Sequence, residues 1–507
     1  MTTFSEKINS IKPEHDNPAG LVHPYWARKP LNIIEEIIKY YSKNGETVLD
    51  PFMGSGTTIF AAIKNNRNAI GTDLNPISQL LVNSIIESNN SNERFREVLN
   101  ESTSSWKKFA IELYNTNCGL CAEREIFQVI GEFEFSNFTL SRIEAKLKPI
   151  NGDNVSGKIT ISSSFEYKLS EKQLTTNTPI DFSSIEFVEN TRIAVHKGVK
   201  SSDFFTDRNQ AFINFCIDYI ESNYTIVEEK EFLKLYLSSM LPLLRLSDKK
   251  ASSQWPYWRP KEFLTSRNPV VAIKRRFMAF TNLLDWESDN LSSKTCTSKI
   301  FDLSADELGQ RLNNSPKVDL ILTDPPYADH APYMEYSDFY WSIISGQRTR
   351  DLWSKEIVKT NAVGRAKDSN DYENRMKSSF TSVLSILKYN GYFIFFYVDK
   401  NLKHWDAIKK AIIDSNCLIE DVIPILKQRR SMKAVTSPGK TLDGDLIIIC
   451  KKVINKKPQE TISLEEAVKS IPEGTYFERF AHFITCYLTK RLTGLESANI
   501  KDISRII

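Results

Sequence analysis

Residues 46–66, ETVLDPFMGSGTTIFAAIKNN, constrain the fold more than any other stretch of the chain. ETVLD is a short apolar run ending in an acid, PFMGSGTT follows it, and IFAAIKNN then reads as a helix. Between them lie Gly54 and Gly56, which permit positive φ and leave room for a ligand to approach the backbone. The pattern predicts a strand, a tight turn and a helix N-terminus, the opening unit of an α/β sheet. A triphosphate-binding loop would carry a lysine directly after its second glycine, and none is present. A dinucleotide fingerprint would carry a third glycine where Ile59 stands.

The next segment, NAIGTDLNP, predicts a second strand ending at Asp73, 23 positions after Asp50. At about that spacing an acid ending the second strand meets a ribose in βαβ nucleoside sites. The two strands therefore point to an adenosine-containing cofactor without phosphates, and S-adenosyl-L-methionine fits. On this stretch alone, a plain βαβ unit with glycines in its turn stays open.

Far downstream lies KVDLILTDPPYAD. VDLILT predicts a buried strand. Asp324, Pro325, Pro326 and Tyr327 follow it, and the prolines end the strand and stiffen the backbone at its carboxyl end. Ligands bind at that edge of open α/β sheets. A Pro-Pro loop terminator is the plainer reading. The quartet also has a chemistry. The exocyclic amine of a base is a poor nucleophile because its lone pair is delocalised into the ring. A carboxylate and a backbone carbonyl that accept its two hydrogens favour a tetrahedral nitrogen and stabilise the charge that grows during attack. Asp324 and the Pro325 carbonyl suit that role, and Tyr327 can stack on a base extruded from the duplex.

At these residues the sequence resembles the amino-methylating DNA methyltransferases. DPFMGSGTT is similar to their cofactor turn, and DPPY to their catalytic quartet in the form usual for adenine. HPYWARKP, residues 23–30, is similar to the segment covering the methionine end of the cofactor. YMEYSDFYWSII and GDLIIICKK resemble, respectively, the segment after the quartet and the closing strand. The resemblance implies a doubly wound, Rossmann-like α/β methyltransferase sheet with a large mixed α/β insertion. The catalytic domain would span 18–90 and 295–455. Residues 91–294 would be an insertion that recognises the DNA target, and 456–507 a small helical appendage.

Residue by residue, the resemblance implies that His23, Pro24 and Tyr25 cover the cofactor. Pro51, Phe52, Gly54, Ser55, Gly56 and Thr57 would line it. Asp50 would sit below its methionine end, and Asp73 would take the ribose hydroxyls. In IFDLSADEL, Ser304 aligns where the family often has an acid near the adenine ring, with Asp302 two residues earlier. His23 is expected to hydrogen-bond within the lid rather than act as a base.

The chain has 507 residues, 41% of them apolar, and a formal net charge of +3. That balance neither demands nor excludes a polyanion, so basic residues that meet one must cluster. No apolar run is long enough for a bilayer and the start has no secretory pattern, so a cytoplasmic protein without membrane contact is expected. Seven cysteines are too scattered for a disulfide framework. Cys118 and Cys121 form one pair without a second, so no metal is expected.

Residues 1–17 read as polar and loose, 126–195 as short antiparallel strands, and 207–290 as helical. RLSDKKASSQWPYWRPKEFLTSRNP interleaves Arg245, Lys249 and Arg259 with Trp255 and Trp258, a pattern suited to phosphates and bases. Arg429 and Arg430, in KQRRSMKA before the last strand, are candidates for the same substrate. A domain-junction plug and a solvated loop are the plainer readings. The expected partner is double-stranded DNA, with a separate restriction endonuclease or defence-system subunit as a further candidate. The expected acceptor is the N6 amine of adenine. The N4 amine of cytosine, the guanine amine of RNA and a non-catalytic nucleic-acid-binding subunit are the alternatives.

Overall fold

The computed structural model describes residues 3–25, 28–113, 115–117, 126–136, 139–149, 158–161, 180–190, 193, 195–246, 263–291, 296–328, 332–360, 362, 364–365, 367–426, 442–455, 458–495 and 503. Of these, residues 115–117, 126–136, 139–149, 158–161 and 263–267 are described as backbone only. Trp26, Cys118, Cys121, Lys249, Trp255, Trp258, Arg259, Arg429 and Arg430 lie outside the described residues.

Two strands open the fold, β1 (Thr47–Asp50) and β2 (Asn68–Thr72), joined by the helix Thr57–Lys64. A long insertion follows and carries β3 (Asn115–Asn117), β4 (Ile126–Ser136), β5 (Thr139–Pro149), β6 (Lys158–Ile161) and β7 (Phe263–Arg267). The first sheet then resumes with β8 (Ser298–Phe301), β9 (Val318–Thr323), β10 (Leu387–Tyr397), β11 (Cys417–Leu426) and β12 (Gly444–Lys452). Its seven strands run in the order β11-β12-β10-β9-β1-β2-β8. β12 alone is antiparallel to its neighbours, β10 and β11. This is a mostly parallel, Rossmann-like α/β sheet with insertions.

Continuous apolar runs build the centre of that sheet, as burial on both faces requires. Val48, Leu49, Leu320, Ile321, Leu322 and Phe393 to Phe395 are all at most 1% exposed. β1 pairs with β9, Val48 opposite Leu320 and Leu49 opposite Ile321, although the two strands lie far apart in the chain. The ends of β1, β2, β9 and β10 therefore share one edge. Because β12 runs the other way, its first residues lie on that edge too.

Four expectations need correcting or completing. Residues 4–10 form a helix rather than a loose tail. Thr3 and Glu6 close a capping box, at 3.2 Å and 2.7 Å, and Phe4 packs its ring on Tyr40 and Tyr41. The stretch 207–290 is not wholly helical. Helices Asp207–Asn223, Val227–Leu244 and Pro269–Asn290 flank β7, which pairs antiparallel with β4 and completes a five-stranded sheet. That sheet contains the antiparallel ladders expected between 126 and 195, but β4 and β5 are 11 residues long rather than short. Within 456–507 the helices Leu464–Lys469 and Tyr476–Thr489 accompany a parallel two-stranded ladder, β13 (Thr461–Ser463) with β14 (Arg491–Thr493). Phe477 packs where a Cβ on Gly444 would stand, so glycine at the start of β12 admits the last helix.

Candidate active site

The carboxyl end of β1 is a turn in which the amides of Phe52, Met53, Gly54 and Gly56 all bond to acceptors within β1, the turn and the end of β2. Phe52 N donates to Asp50 Oδ1 at 3.1 Å, Gly54 N to Asp73 Oδ2 at 2.8 Å, and Gly56 N to the Met53 carbonyl at 2.8 Å. Met53 N donates to the Thr72 carbonyl at 3.1 Å. A phosphate cradle needs such amides aimed at the ligand. Here they are engaged, which fits a cofactor without phosphates. Gly54 and Gly56 have φ of +51° and +78°. A Cβ on Gly56 would stand 2.7 Å from Val82 Cγ2, so both conformation and space call for glycine.

Asp50 and Asp324 end adjacent strands. Thr323 donates its hydroxyl to Asp50 Oδ1 at 2.6 Å across the β1–β9 seam. Burial pushes the Asp50 carboxyl up to about 7, against the pull of Thr323, Thr58 and the Phe52 amide. Asp73 is also raised by burial, against the amides of Asn75 and Gly54.

The lid crosses this edge from the N-terminal side. Tyr25 lies over Gly54, 3.1 Å from where a Cβ would stand, and its hydroxyl is held by Asn75 and Ser78. His23 is 1% exposed. Its Nδ1 donates to the Pro24 carbonyl at 2.9 Å, so its Nε2 accepts from Ser238 at 2.9 Å. Burial lowers its pKa to about 3, and the ring stays neutral. Arg276 donates to the Leu21 and Val22 carbonyls and, at 3.1 Å, to Ser239. Two helices of the insertion thus grip the root of the lid.

Asp324 sits in a tight polar cluster. Tyr327 donates to its Oδ1 at 2.9 Å, and Lys29 Nζ lies 3.3 Å from its Oδ2. Lys29 also reaches Asp445 Oδ2 at 2.8 Å and the Tyr327 hydroxyl at 3.1 Å. Burial pushes Asp324 up to about 6, Lys29 pulls it down and Asp445 pushes it up. Burial alone would lower the Lys29 ammonium, but Asp324 and Asp445 outweigh it and hold it above the ordinary lysine value. Behind the quartet, Tyr372 donates to the Pro326 carbonyl at 2.8 Å, and its hydroxyl lies 3.1 Å from that of Tyr397.

One cleft joins these parts. Tyr25, Asp50, Pro51, Phe52, Gly54, Ser55, Thr57, Asp73, Ser304, Asp324 and Pro326 form its wall among the residues expected from the sequence. His23, Pro24, Gly56, Asp302, Pro325 and Tyr327 are not on that wall. Asp302 instead accepts from Gln79 at 2.7 Å. Ser304 caps the helix Ala305–Arg311 through a capping box with Glu307. The Tyr327 ring meets Tyr397 edge-on at 5.5 Å. Arg245 is buried at the end of the helix Val227–Leu244.

Sequence reasoning passed over several wall residues, chiefly Arg28, Lys29, Tyr333, Lys355 and Glu356. The basic pair in HPYWARKP was a usable signal for the first two. Glu356 lies beside Arg365, which pairs with Glu335 at 2.7 Å, so Glu335, the first acid of YMEYSDFYW, is buried in an ion pair away from the wall. Among the described residues, no group of three or more His, Cys, Asp or Glu is placed to hold a metal, and no helix is long and apolar enough to cross a membrane.

The seven-stranded sheet and its edge cleft define a Rossmann-like α/β protein. Residues 5–81 match the DNA methylase family of N6 and N4 methyltransferases. Over 356 residues the chain is 23% identical to the type II methyltransferase M.MjaII of Methanocaldococcus jannaschii, covering 65% of this chain and 63% of that protein. It is 47% identical over 66 residues to M.HindIII of Haemophilus influenzae, covering 13% and 21%. It is 38% identical over 92 residues to M.BglI of Bacillus subtilis, covering 17% and 26%. The chain thus spans under two thirds of the length of these relatives. The matched stretches are similar to the N6/N4 amino-methyltransferase family.

Proposed function

We propose that this chain methylates the exocyclic N6 amine of adenine in double-stranded DNA, using S-adenosyl-L-methionine. The carrying observation is that the glycine turn and Asp324 end neighbouring strands and open on one cleft. The cofactor supplies an electrophilic sulfonium methyl. Asp73 meets the ribose hydroxyls and Tyr25 closes over the cofactor, while Phe52 and the turn form its wall. Asp50 lies below the methionine end.

Asp324 accepts a hydrogen from the target amine, and the Pro325 carbonyl accepts the other. Together they favour a tetrahedral nitrogen and offset its growing positive charge. As the neutral amine takes the methyl carbon, the carbon–sulfur bond breaks to leave a neutral thioether, and the nitrogen sheds its proton late to water, so no strong base is needed, consistent with a neutral, buried His23. Alignment of the two reacting centres is the protein's main contribution. Residues 18–90 and 295–455 form the catalytic domain in this reading, 91–294 the target-recognising insertion and 456–507 an appendage. The matched family's description as a DNA methylase favours DNA, and a separate restriction endonuclease or defence-system subunit is a candidate partner.

The test is transfer of a tritiated methyl group to bacterial DNA and to RNA, followed by nucleoside analysis. Labelled N6-methyladenine from DNA is expected. Labelled N4-methylcytosine would move the acceptor to cytosine, and label in RNA alone or in neither would overturn the reading. Asp324→Ala should abolish transfer while cofactor binding persists.

A further inference from the structure

We infer that Lys29 is a positioning residue for methyl transfer, bridging Asp324 and Asp445 so that the Asp324 carboxylate is presented, ionised, to the target amine. This rests on the proposed methyltransferase reading. An ammonium has three hydrogens, and all three find acceptors here: Asp324 Oδ2 at 3.3 Å, Asp445 Oδ2 at 2.8 Å and the Tyr327 hydroxyl at 3.1 Å. The Tyr327 hydroxyl in turn donates to Asp324 Oδ1 at 2.9 Å. Both oxygens of Asp324 are thereby oriented.

The Lys29 side chain is also enclosed by rings. Its side chain is 13% exposed, and Nζ lies 5.0 Å and 5.4 Å from the ring centres of Phe396 and Tyr327. The next residue, Pro30, caps the helix Leu31–Tyr41, which fixes the backbone one step away. The ammonium approaches Asp324 as an amine donor would, so the bridge keeps the acceptor geometry assembled when no base is bound. Asp445 opens β12 on the same edge and offers the ammonium a second carboxylate.

Charge gives the inference a signature that packing alone lacks. The ionisable groups facing Asp324 are Lys29 from the lid, Tyr327 on its own loop, Tyr333 on the following helix, Asp50 at the end of β1 and Asp445 at the start of β12. A protonated Asp324 loses an acceptor for the amine, so activity falls on the acid side. Removing the cation raises that acid limb, whereas removing the Asp445 charge lowers it.

The test compares Lys29→Met, Lys29→Arg and Asp445→Asn with the unaltered chain in DNA methyl transfer. It reads kcat, KM and the pH–rate profile, with thermal unfolding as a check on folding. Lys29→Met is expected to reduce kcat about tenfold at neutral pH and to move the acid limb up by about one pH unit. Lys29→Arg should restore the limb, and Asp445→Asn should move it down. If the unaltered chain is active and the limb stays in place in all three variants, or moves the same way in Lys29→Met and Asp445→Asn, the inference is overturned. If Lys29→Met does not fold, the limbs of the other two variants decide. Absence of transfer by the unaltered chain would instead overturn the methyltransferase reading.

Discussion

The Thr323 hydroxyl and Asp50 Oδ1 lie 2.6 Å apart across the β1–β9 seam, joining residues 273 positions apart in the chain. Oδ1 also accepts from the Phe52 amide at 3.1 Å. Two donors on one oxygen fix the carboxyl between the glycine turn and the start of the DPPY loop. The seam thus sets the relative position of the proposed cofactor and base subsites, and it does so in a buried setting where a lost partner is costly.

Thr323→Val keeps the shape of the side chain and removes the donor. Asp50 then keeps the Phe52 amide but loses its link across the seam. We expect a loss of about 1–3 kcal/mol in stability, seen as a lower urea midpoint, and weaker cofactor binding by titration. A variant matching the parent in both measurements would show that the seam bond carries no weight.

Gly56 and Gly45 provide a controlled comparison. Both have left-handed φ, +78° and +81°, but a Cβ on Gly56 meets Val82 and Phe60 whereas one on Gly45 meets nothing within 4 Å. Gly45→Ala should cost about 1–2 kcal/mol from backbone conformation alone. Gly56→Ala adds a clash inside a packed core, worth about 1–3 kcal/mol more. Urea unfolding of the two variants measures the difference, and equal midpoints would contradict it.

How much was legible in the chain depended on range. The turn with Gly54 and Gly56, the acid at Asp73 and the quartet after β9 are local patterns, and each was readable from a few neighbouring residues. The helix Phe4–Ser10 was missed although Thr3 and Glu6 stand at capping-box spacing, because its polar surroundings obscured the burial of Phe4 and Ile8. Lys29 and Asp445 were not readable as partners. Their meeting depends on β12 running antiparallel, which carries its first residues to the edge where β1 and β9 end, and no short-range pattern encodes that reversal. β7 was hidden similarly: five residues between helices become a strand only because β4 offers an edge.

Asp50 also predicts a pH dependence. Burial raises its pKa from the ordinary carboxyl value of 3.8 to about 7 in the folded chain. The folded state therefore holds a proton that the unfolded state releases, and this group's contribution to stability falls as pH rises from about 4 to about 7. Asp50→Asn keeps an oxygen acceptor for Thr323 and removes the charge. Its melting temperature relative to the parent should be higher at pH 8 than at pH 5, with weaker cofactor binding at both. A difference independent of pH would show that Asp50 ionises normally in the fold.

Tyr372 offers a way to disturb the quartet without touching the reacting groups. Its hydroxyl donates to the Pro326 carbonyl at 2.8 Å from a fully buried position on the helix Ser369–Ser385. Pro325 and Pro326 have no N–H, so the loop cannot anchor itself through amides at those two positions. The tyrosine supplies that anchor from outside the loop and holds the peptide leading into Tyr327. Tyr372→Phe keeps the ring packing but leaves the carbonyl without this donor, at a cost of about 1 kcal/mol in stability. With the loop freer, Asp324 and the Pro325 carbonyl are less well aimed, and kcat for methyl transfer should fall about three- to tenfold. The cofactor wall near Gly54 and Asp73 is untouched, so cofactor affinity should match that of the parent. An unchanged kcat in a folded Tyr372→Phe variant would show that the quartet keeps its geometry without this bond.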